Sequence, residues 1–286
     1  CDVDALEALG KIEPIVKPLA RAINYIRSTT GLIANANMPL SQGNRAHTFY
    51  NPGGTETFRL SSRKNAYDEG SNLQNLTSGN REKAKTFWDW MPNLRTMIVP
   101  DPGFVFYDGD LAKADVHFVV WAANDKVFKE WLKNKLDTHK MAAMEIFNIK
   151  KIDDVKDHQR HLAKSGVHAT NYGVYPKKLA MVLGITIKEA EKFIKRWLEA
   201  HPEIKAWQDR IALQLQTQGI ITNIYGYSLR WLGRIDPHAI NAALAWGPQS
   251  SVALYTRNLM LAIDRKIGEL QAREEIQLLL QTHDSL

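Results

Sequence analysis

The sequence predicts an α/β fold of the α+β type, in which helices and a small antiparallel sheet occupy different stretches of a 286-residue chain. The first observation is that apolar residues recur at helical spacing over 2–34, most of 111–218 and 237–267. The second is a pair of short apolar runs, 103–110 and 276–284, each of which ends in an aspartate as a buried strand would. Helices outnumber strands, so we expect a small sheet.

The first part of the chain is predicted to pass from helices to loops. Residues 2–34 have the helical pattern, whereas 35–80 is rich in Asn, Gly, Ser and Thr. The turn signal at residues 51–54, Asn-Pro-Gly-Gly, indicates loops with short strands there. After the strand at 103–110, a stretch without glycine or proline predicts a helix that begins near Asp110.

The remaining elements are marked by local capping signals. Thr186 and Glu189 have the spacing of a capping box at a helix start. Pro202 occupies the first position of a helix that Gly219 is expected to end. A strand and a turn follow at 219–226, before the long helix at 237–267.

Four residues at four-residue spacing, Arg160, Lys164, His168 and Tyr172, precede Gly173. On a helix, a step of four residues turns the side chain by only about 40°, so these side chains form one slanted stripe. Cations suit phosphates and flat rings suit a base, which indicates a nucleotide site. Taken alone, such a segment is more typical of a solvated helix face.

Asp110 and Asp284 stand at the ends of the two predicted strands, which can converge in one sheet. Magnesium prefers oxygen ligands, and phosphoryl-transfer sites commonly hold two such ions. A lone boundary aspartate is more often a helix cap or turn residue, but convergence with the basic stripe favours a metal site. Asp115 would point about 140° away from Asp110 on a shared helix, which predicts a separate role.

Composition excludes several classes of protein and favours one kind of partner. Cys1 is the only cysteine, which excludes an internal disulfide and a thiolate zinc site. The longest apolar run, 118–123, is far too short to span a membrane, and no signal peptide is evident. His158 and His161 could form a metal-binding pair, but the sequence offers no third ligand for them, which favours a solvated helix face. The net charge of +6 favours a polyanion, and 126–164 holds ten Lys and Arg against six Asp and Glu.

Together these motifs resemble the three polymerase motifs of the A-family (Pol I-like) DNA polymerases. The resemblance rests on the order and spacing of Asp110-xxxx-Asp115, the Arg160-to-Gly173 stripe and His283-Asp284. It extends along nearly the whole chain to further motifs: Thr57 to Ser62, Asn72 to Asn75, Asp137-Thr138-His139, Tyr225-Gly226 and Gln249.

The resemblance implies a right-hand polymerase with an antiparallel palm sheet, helical fingers and an incomplete thumb. Partial thumb helices would occupy 1–34, the palm and its thumb connection 35–123, the fingers 124–218 and a truncated palm 219–286. The expected activity is template-directed DNA synthesis with two Mg²⁺ ions, primer-template DNA and dNTP, in the cytoplasm of a bacterial or phage-infected cell. Because the chain stops two residues after Asp284, we predict that it polymerises poorly by itself.

The resemblance also implies roles for individual side chains. Asp110 and Asp284 would be catalytic and would hold the metal ions. The nucleotide would be bound by Arg160, Lys164 and His139 at the triphosphate, by Tyr172 and His168 at the nascent pair and sugar, and by Asp115 beneath the sugar, linked to Tyr172. DNA would be contacted by Arg59, Asn72, Gln74, Asn75, Gln249 and His283.

Three positions depart from the family pattern. Asp115 stands where Glu is usual and His168 where Phe or Tyr is usual, which leaves ribose exclusion and selection at the sugar 3′-position open. Ser285 replaces a second acid, although two aspartates remain. A single-subunit RNA polymerase, which Asp115 argues against, and a non-catalytic DNA-binding polymerase remnant stay as alternatives.

Overall fold

The computed structural model describes residues 3–41, 43–76, 93–282 and 284–286. The chain forms two compact units, which we call the N-terminal unit and the C-terminal unit. The N-terminal unit comprises Cys1–Gly54 and Leu60–Asp108. The C-terminal unit comprises Thr55–Arg59 and Gly109–Leu286.

The N-terminal unit follows the predicted order of helices, then loops with short strands. Two hairpins follow two helices, and each hairpin is antiparallel, with Leu40 opposite Ala46 in the first and Tyr50 opposite Ser62 in the second. Three 3₁₀ turns complete the described part, at Pro14–Val16, Leu73–Asn75 and Leu94–Met97. The regular elements are α1 (Val3–Ile12), α2 (Lys17–Ala36), β1 (Leu40–Ser41), β2 (Arg45–Ala46), β3 (Phe49–Asn51) and β4 (Ser61–Arg63).

The C-terminal unit is mainly helical, as the apolar spacing predicts. Its one regular hairpin among the described residues pairs Ile220–Thr222 (β5) with Ser228–Arg230 (β6) in antiparallel register. The helices are α3 (Ala114–Ala123), α4 (Lys126–Lys133), α5 (Thr138–Phe147), α6 (Asp157–Asn171), α7 (Pro176–Leu183), α8 (Ile187–Ala200), α9 (Pro202–Gln218) and α10 (Pro237–Glu269).

Local capping chemistry sets several of these boundaries. The backbone N–H of Glu189 donates to Thr186 Oγ1 at 3.3 Å, and the N–H of Thr186 donates to the Glu189 carboxylate at 2.8 Å, so the predicted capping box is confirmed. Pro202 begins α9, and Gly219 ends it with a φ of +66° that favours glycine. Within the described ranges, none of the helices is both long and apolar enough to cross a bilayer.

The core of the C-terminal unit lies among α3 to α9 and holds α6 in place. Trp197, Phe128, Leu179 and Ile204 are its largest fully buried apolar side chains. The indole Nε1 of Trp197 donates to Asn171 Oδ1 at 2.9 Å, which satisfies a buried polar group at the end of α6. The helix with the predicted basic stripe is therefore anchored by packing at its inner face.

The two predicted apolar strands are wrong as regular buried strands. Residues 103–110 form no ladder, and the side chains of Val105 and Tyr107 are 74% and 92% exposed. At 276–282, pairing is confined to a bridge of Thr282 with Ser285. An apolar run is buried as a strand only where a neighbouring strand supplies its hydrogen bonds, and within the described residues such pairing is limited to single bridges at Asp110 and Thr282.

The helix predicted to begin near Asp110 instead begins at Ala114. Lys113 precedes it with a φ of +57°, a left-handed conformation that interrupts the helical backbone. Asp115 consequently lies in the first turn of α3, while Asp110 lies outside the helix, so the two aspartates do occupy separate settings.

Candidate active site

The backbone segments that contain Asp110 and Asp284 lie side by side. Asp110 forms an antiparallel bridge with Ser285, and the N–H of Leu111 donates to the carbonyl oxygen of Asp284 at 3.2 Å. The N–H of Gly109 also donates to the carbonyl oxygen of Leu286 at 2.9 Å. The two aspartates are thus brought together by a short bridged contact rather than by the predicted sheet.

Two aspartates on neighbouring backbone segments fit a magnesium site that is completed by substrate. Mg²⁺ is usually bound by one or two carboxylates together with substrate phosphates and water. No group of three or more His, Cys, Asp or Glu side chains is arranged to hold a metal ion in the part of the chain that the structure describes. Asp110 and Asp284 offer the carboxylate oxygens that Mg²⁺ prefers.

Asp115 connects the acidic pair to the basic stripe. Burial raises the pKa of its carboxyl, the positive charges of Arg59 and His168 partly offset that effect, and the negative charge of Asp284 raises the pKa further. Arg59, His168 and Asp284 are therefore each close enough to influence the Asp115 carboxyl. The acidic and basic features, far apart in sequence, meet at α3.

Tyr172 lies beside Asp115 without bonding to it. Burial is the main cause that raises the pKa of the Tyr172 phenol, and the charge of Asp115 adds to it. The Tyr172 hydroxyl and Asp115 Oδ1 are both buried and have no hydrogen-bond partner among the described residues. The link between them that the resemblance implies is not formed, which fits an acid one methylene shorter than Glu.

The predicted stripe lies on α6 and ends at its C-cap. Arg160, Lys164 and His168 are within the helix, and Tyr172 follows its last residue. The rings of His168 and Tyr172 meet edge to face, with centroids 4.8 Å apart and planes at 82°. His168 is exposed, so its ring covers the tyrosine from the solvent side.

Asp137 joins Arg160 to the start of α5. Its Oδ2 accepts from Arg160 Nε at 2.8 Å, while its Oδ1 accepts from the backbone N–H groups of His139 and Lys140 at 3.0 and 3.2 Å. Burial opposes ionisation of this carboxyl, but the hydrogen bonds and the Arg160 charge outweigh it and lower its pKa. Sequence reasoning gave Asp137 no role, because only its capping position is a local signal.

His139 is held in its neutral form. Burial lowers the pKa of its imidazole most, and the adjacent Arg160 charge lowers it further. The negative charge of Asp137 opposes these effects, but with smaller contributions from Lys113 and Lys164 the pKa falls to about 4. A neutral imidazole carries one donor and one acceptor at pH 7. His139 is therefore suited to hydrogen bonding beside a phosphate rather than to proton transfer.

Arg59 is positioned by a short segment tied to α10. Trp246 Nε1 donates to the carbonyl oxygen of Glu56 at 2.8 Å, and Arg257 Nη1 donates to that of Phe58 at 3.4 Å. Phe58 also packs its ring 5.1 Å from that of Tyr227. This anchoring brings the Arg59 charge within range of the Asp115 carboxyl.

The remaining predicted DNA contacts are distributed over both units. Gln249 is half-buried on α10 of the C-terminal unit. Asn72, Gln74 and Asn75 lie at a 3₁₀ turn of the N-terminal unit, where Gln74 Oε1 accepts from the N–H of Ser62 at 3.0 Å. Asn72 Oδ1 is buried without a partner among the described residues, and Asn75 is exposed. His283 lies outside the described residues.

Comparison with known proteins identifies the family to which the chain belongs. Residues 1–286 match the model of DNA polymerase family A, and the chain belongs to that family. It is 28% identical over 300 residues to DNA polymerase I of Lactococcus lactis subsp. cremoris, covering 99% of this chain and 31% of that protein. It is 30% identical over 295 residues to DNA polymerase I of Treponema pallidum, covering 100% of this chain and 28% of that protein.

A solved structure shows the same fold. The chain aligns with the POL domain of Pol1 from M. smegmatis, determined in complex with DNA primer-template and dNTP, with a TM-score of 0.79 and 22% identity. The alignment covers 100% of this chain and 49% of that one. The predicted α+β polymerase fold is thereby confirmed, and the chain spans under a third of the length of the curated relatives named above.

Proposed function

We propose that this chain contributes the catalytic site for template-directed DNA synthesis, in which dNMP is transferred from a dNTP to a primer 3′-hydroxyl. The observation that supports this most is the setting of Asp115, whose pKa responds both to Asp284 and to His168 of the stripe. Asp115 thereby links Asp284 to the stripe, which supports a shared site of the kind that a reaction between a metal-bound triphosphate and a hydroxyl requires.

Phosphoryl transfer depends mainly on positioning and on electrostatic stabilisation of the triphosphate. Arg160 and Lys164 would bind the triphosphate, and neutral His139 would add a hydrogen bond. Asp110 and Asp284 would hold two Mg²⁺ ions, which when bound supply charge neutralisation and favour deprotonation of the 3′-hydroxyl. Tyr172 would stack at the nascent pair, with His168 at the sugar.

The DNA partner would be a primer-template duplex. Arg59 and Gln249 would probe minor-groove acceptors, which are shared by all correct base pairs. Asn72, Gln74, Asn75 and His283 would contact the strands near the primer end. The proposal keeps the thumb, palm and fingers boundaries inferred above and the cytoplasm as the place where the activity occurs.

The test is single-nucleotide addition to a labelled primer-template with Mg²⁺, which requires only one turnover. Asp110→Ala and Asp284→Ala should each lower the rate by at least about a hundredfold, since several kcal/mol of charge stabilisation is lost. Asp153→Ala, which removes an exposed aspartate from a 3₁₀ turn, should leave the rate unchanged. Unchanged addition by Asp110→Ala would refute the proposal.

The second candidate is a polymerase remnant that binds DNA without catalysis. The exposure of Val105 and Tyr107, in the segment that leads to Asp110, favours this candidate. Salt-sensitive DNA binding with no addition, by this chain and by any longer protein that contains it, would establish that alternative. Preferential use of ribonucleotides at every step would instead indicate the RNA polymerase reading.

A further inference from the structure

We propose that Asp137 is a positioning residue for the incoming nucleotide, because its two carboxylate oxygens fix Arg160 and His139 in a single arrangement. The inference rests on the proposed function, since it assigns the triphosphate to these two side chains. Asp137 touches no reacting atom in this scheme. It acts through Arg160 on α6 and through the first turn of α5.

The two oxygens of Asp137 have separate partners. Oδ1 caps α5 by accepting the backbone N–H groups of His139 and Lys140. Oδ2 accepts only from a side chain, the Nε of Arg160, at 2.8 Å. A carboxylate that only capped the helix would leave Oδ2 to solvent, so the second contact is a distinct interaction between α5 and α6.

The contact with Nε orients the guanidinium of Arg160. Nε lies at the base of the planar group, so fixing it sets the plane while leaving the outer nitrogens Nη1 and Nη2 as donors. Within the described ranges, the guanidinium of Arg160 has no other hydrogen-bond or ion-pair partner than Asp137. Its outer edge is therefore available for the paired hydrogen bonds that arginine forms with phosphate oxygens.

The same residue sets the position of His139. Because the N–H of His139 is bound by Oδ1, its backbone is fixed at the start of α5. Its imidazole lies within the influence of the Arg160 and Lys164 charges, which helps to keep it neutral. Asp137 thus holds one cation and one neutral hydrogen-bonding ring near each other, ahead of ligand binding.

Two substitutions separate this role from simple helix capping. Asn and Ser both remain good N-cap residues, but the Asn NH₂ group cannot accept from Arg160 Nε and Ser is too short to reach it. We expect Asp137→Asn and Asp137→Ser to raise the dissociation constant of dATP about tenfold, measured with primer-template and Mg²⁺. The melting temperature should stay within a few degrees of the parent.

A double-substitution cycle with Arg160→Ala provides the decisive measurement. If Asp137 acts through Arg160, adding Asp137→Asn to Arg160→Ala should change dATP binding less than twofold, and tripolyphosphate affinity should follow the same pattern. A full tenfold loss that persists in the Arg160→Ala background would overturn the inference, as would unchanged dATP binding by both cap-preserving variants.

Failure of the underlying function gives a different result. If Arg160→Ala and Lys164→Ala both leave dATP and tripolyphosphate binding unchanged while the protein stays folded, the triphosphate site itself is refuted. If those two variants bind weakly while Asp137→Asn and Asp137→Ser bind normally, the triphosphate site stands and only the role of Asp137 is refuted.

Discussion

Asp115 contributes a buried carboxylate oxygen, Oδ1, that lacks a hydrogen-bond partner among the described residues. The Tyr172 hydroxyl is likewise buried without a partner within these residues. Leaving a buried polar group unpaired costs about 1–3 kcal/mol. Burial also raises the pKa of Asp115, so the folded chain disfavours its charged form. A site that carries such costs is typical of residues kept for function rather than stability.

Lengthening this acid should complete the missing contact. In an Asp115→Glu variant, the extra methylene extends the carboxylate toward the Tyr172 hydroxyl, and the hydrogen bond should add about 1 kcal/mol of stability. The closed link should also narrow the space for a ribose 2′-hydroxyl, so discrimination against ribonucleotides should rise about tenfold, equivalent to about 1.4 kcal/mol.

The measurement is the ratio of dATP to ATP incorporation by the parent and the Asp115→Glu protein, alongside a urea unfolding curve for each. Asp115→Asn serves as the control, because it removes the charge without adding length and should not improve the ratio. Equal ratios for the parent and Asp115→Glu would show that the open link does not control sugar selection.

At the scale of elements, α6 packs closely against α8 because residue 166 is a glycine and has no side chain. A Cβ on Gly166 would lie 2.3 Å from Cζ of Phe193, far inside van der Waals contact. Phe193 is itself almost fully buried, so it has little freedom to move away. The close approach holds the helix that carries Arg160 and Lys164 against the core.

We therefore expect Gly166→Ala to destabilise the C-terminal unit by about 1–3 kcal/mol through overpacking, and to weaken dATP binding because α6 must shift. Gly31→Ala is the matched control. It lies in the interior of α2 with no atom within 4 Å of an added Cβ, so the same change should add roughly 0.5–1 kcal/mol. Thermal unfolding measures both, and a Gly166→Ala protein as stable as the parent would contradict the packing argument.

The sequence predicted those elements whose signals are local. The capping box of Thr186 and Glu189 and the glycine stop at Gly219 each depend on a few adjacent residues, and both are confirmed. The strand predicted at 103–110 depended on a distant partner, which an apolar pattern does not identify. The pairing of Asp137 with Arg160 spans 23 residues and was missed for the same reason.

At the scale of the whole C-terminal unit, His201 ties distant segments together in the core. Its ring is fully buried, with Nδ1 2.5 Å from Asp125 Oδ2 and Nε2 2.8 Å from Glu145 Oε2. The centroids of the Trp197 and His201 rings lie 3.9 Å apart. Asp125 also caps α4 through the N–H of Phe128, so the histidine joins α4, α5 and the α8–α9 corner.

The sequence did not predict this arrangement around His201. Its acidic partners lie 76 and 56 residues away. Burial opposes protonation of the imidazole, but the hydrogen bonds and charges of the two carboxylates outweigh it and raise the pKa to about 9. The core therefore contains a positively charged ring between two acids.

Stability should consequently fall as the pH rises. Because the pKa of His201 is higher in the folded chain than the ordinary value near 6.5, its contribution is complete below about pH 6.5 and is lost as the pH rises through about 9. A shift of this size corresponds to about 3 kcal/mol. Breaking the cluster by His201→Gln should cost several kcal/mol near neutral pH, since it leaves two buried acids without their cation.

Urea unfolding between pH 6 and pH 10 tests this directly. The difference in unfolding free energy between the parent and His201→Gln should shrink by up to about 1.4 kcal/mol for each pH unit between 6.5 and 9, while titrations common to both proteins cancel. His158→Gln, which removes an exposed imidazole, should follow the parent at every pH. A constant difference between the parent and His201→Gln across this range would mean that the buried ring is neutral in the folded chain, and that its two carboxylate contacts hold the helices together without an ion pair.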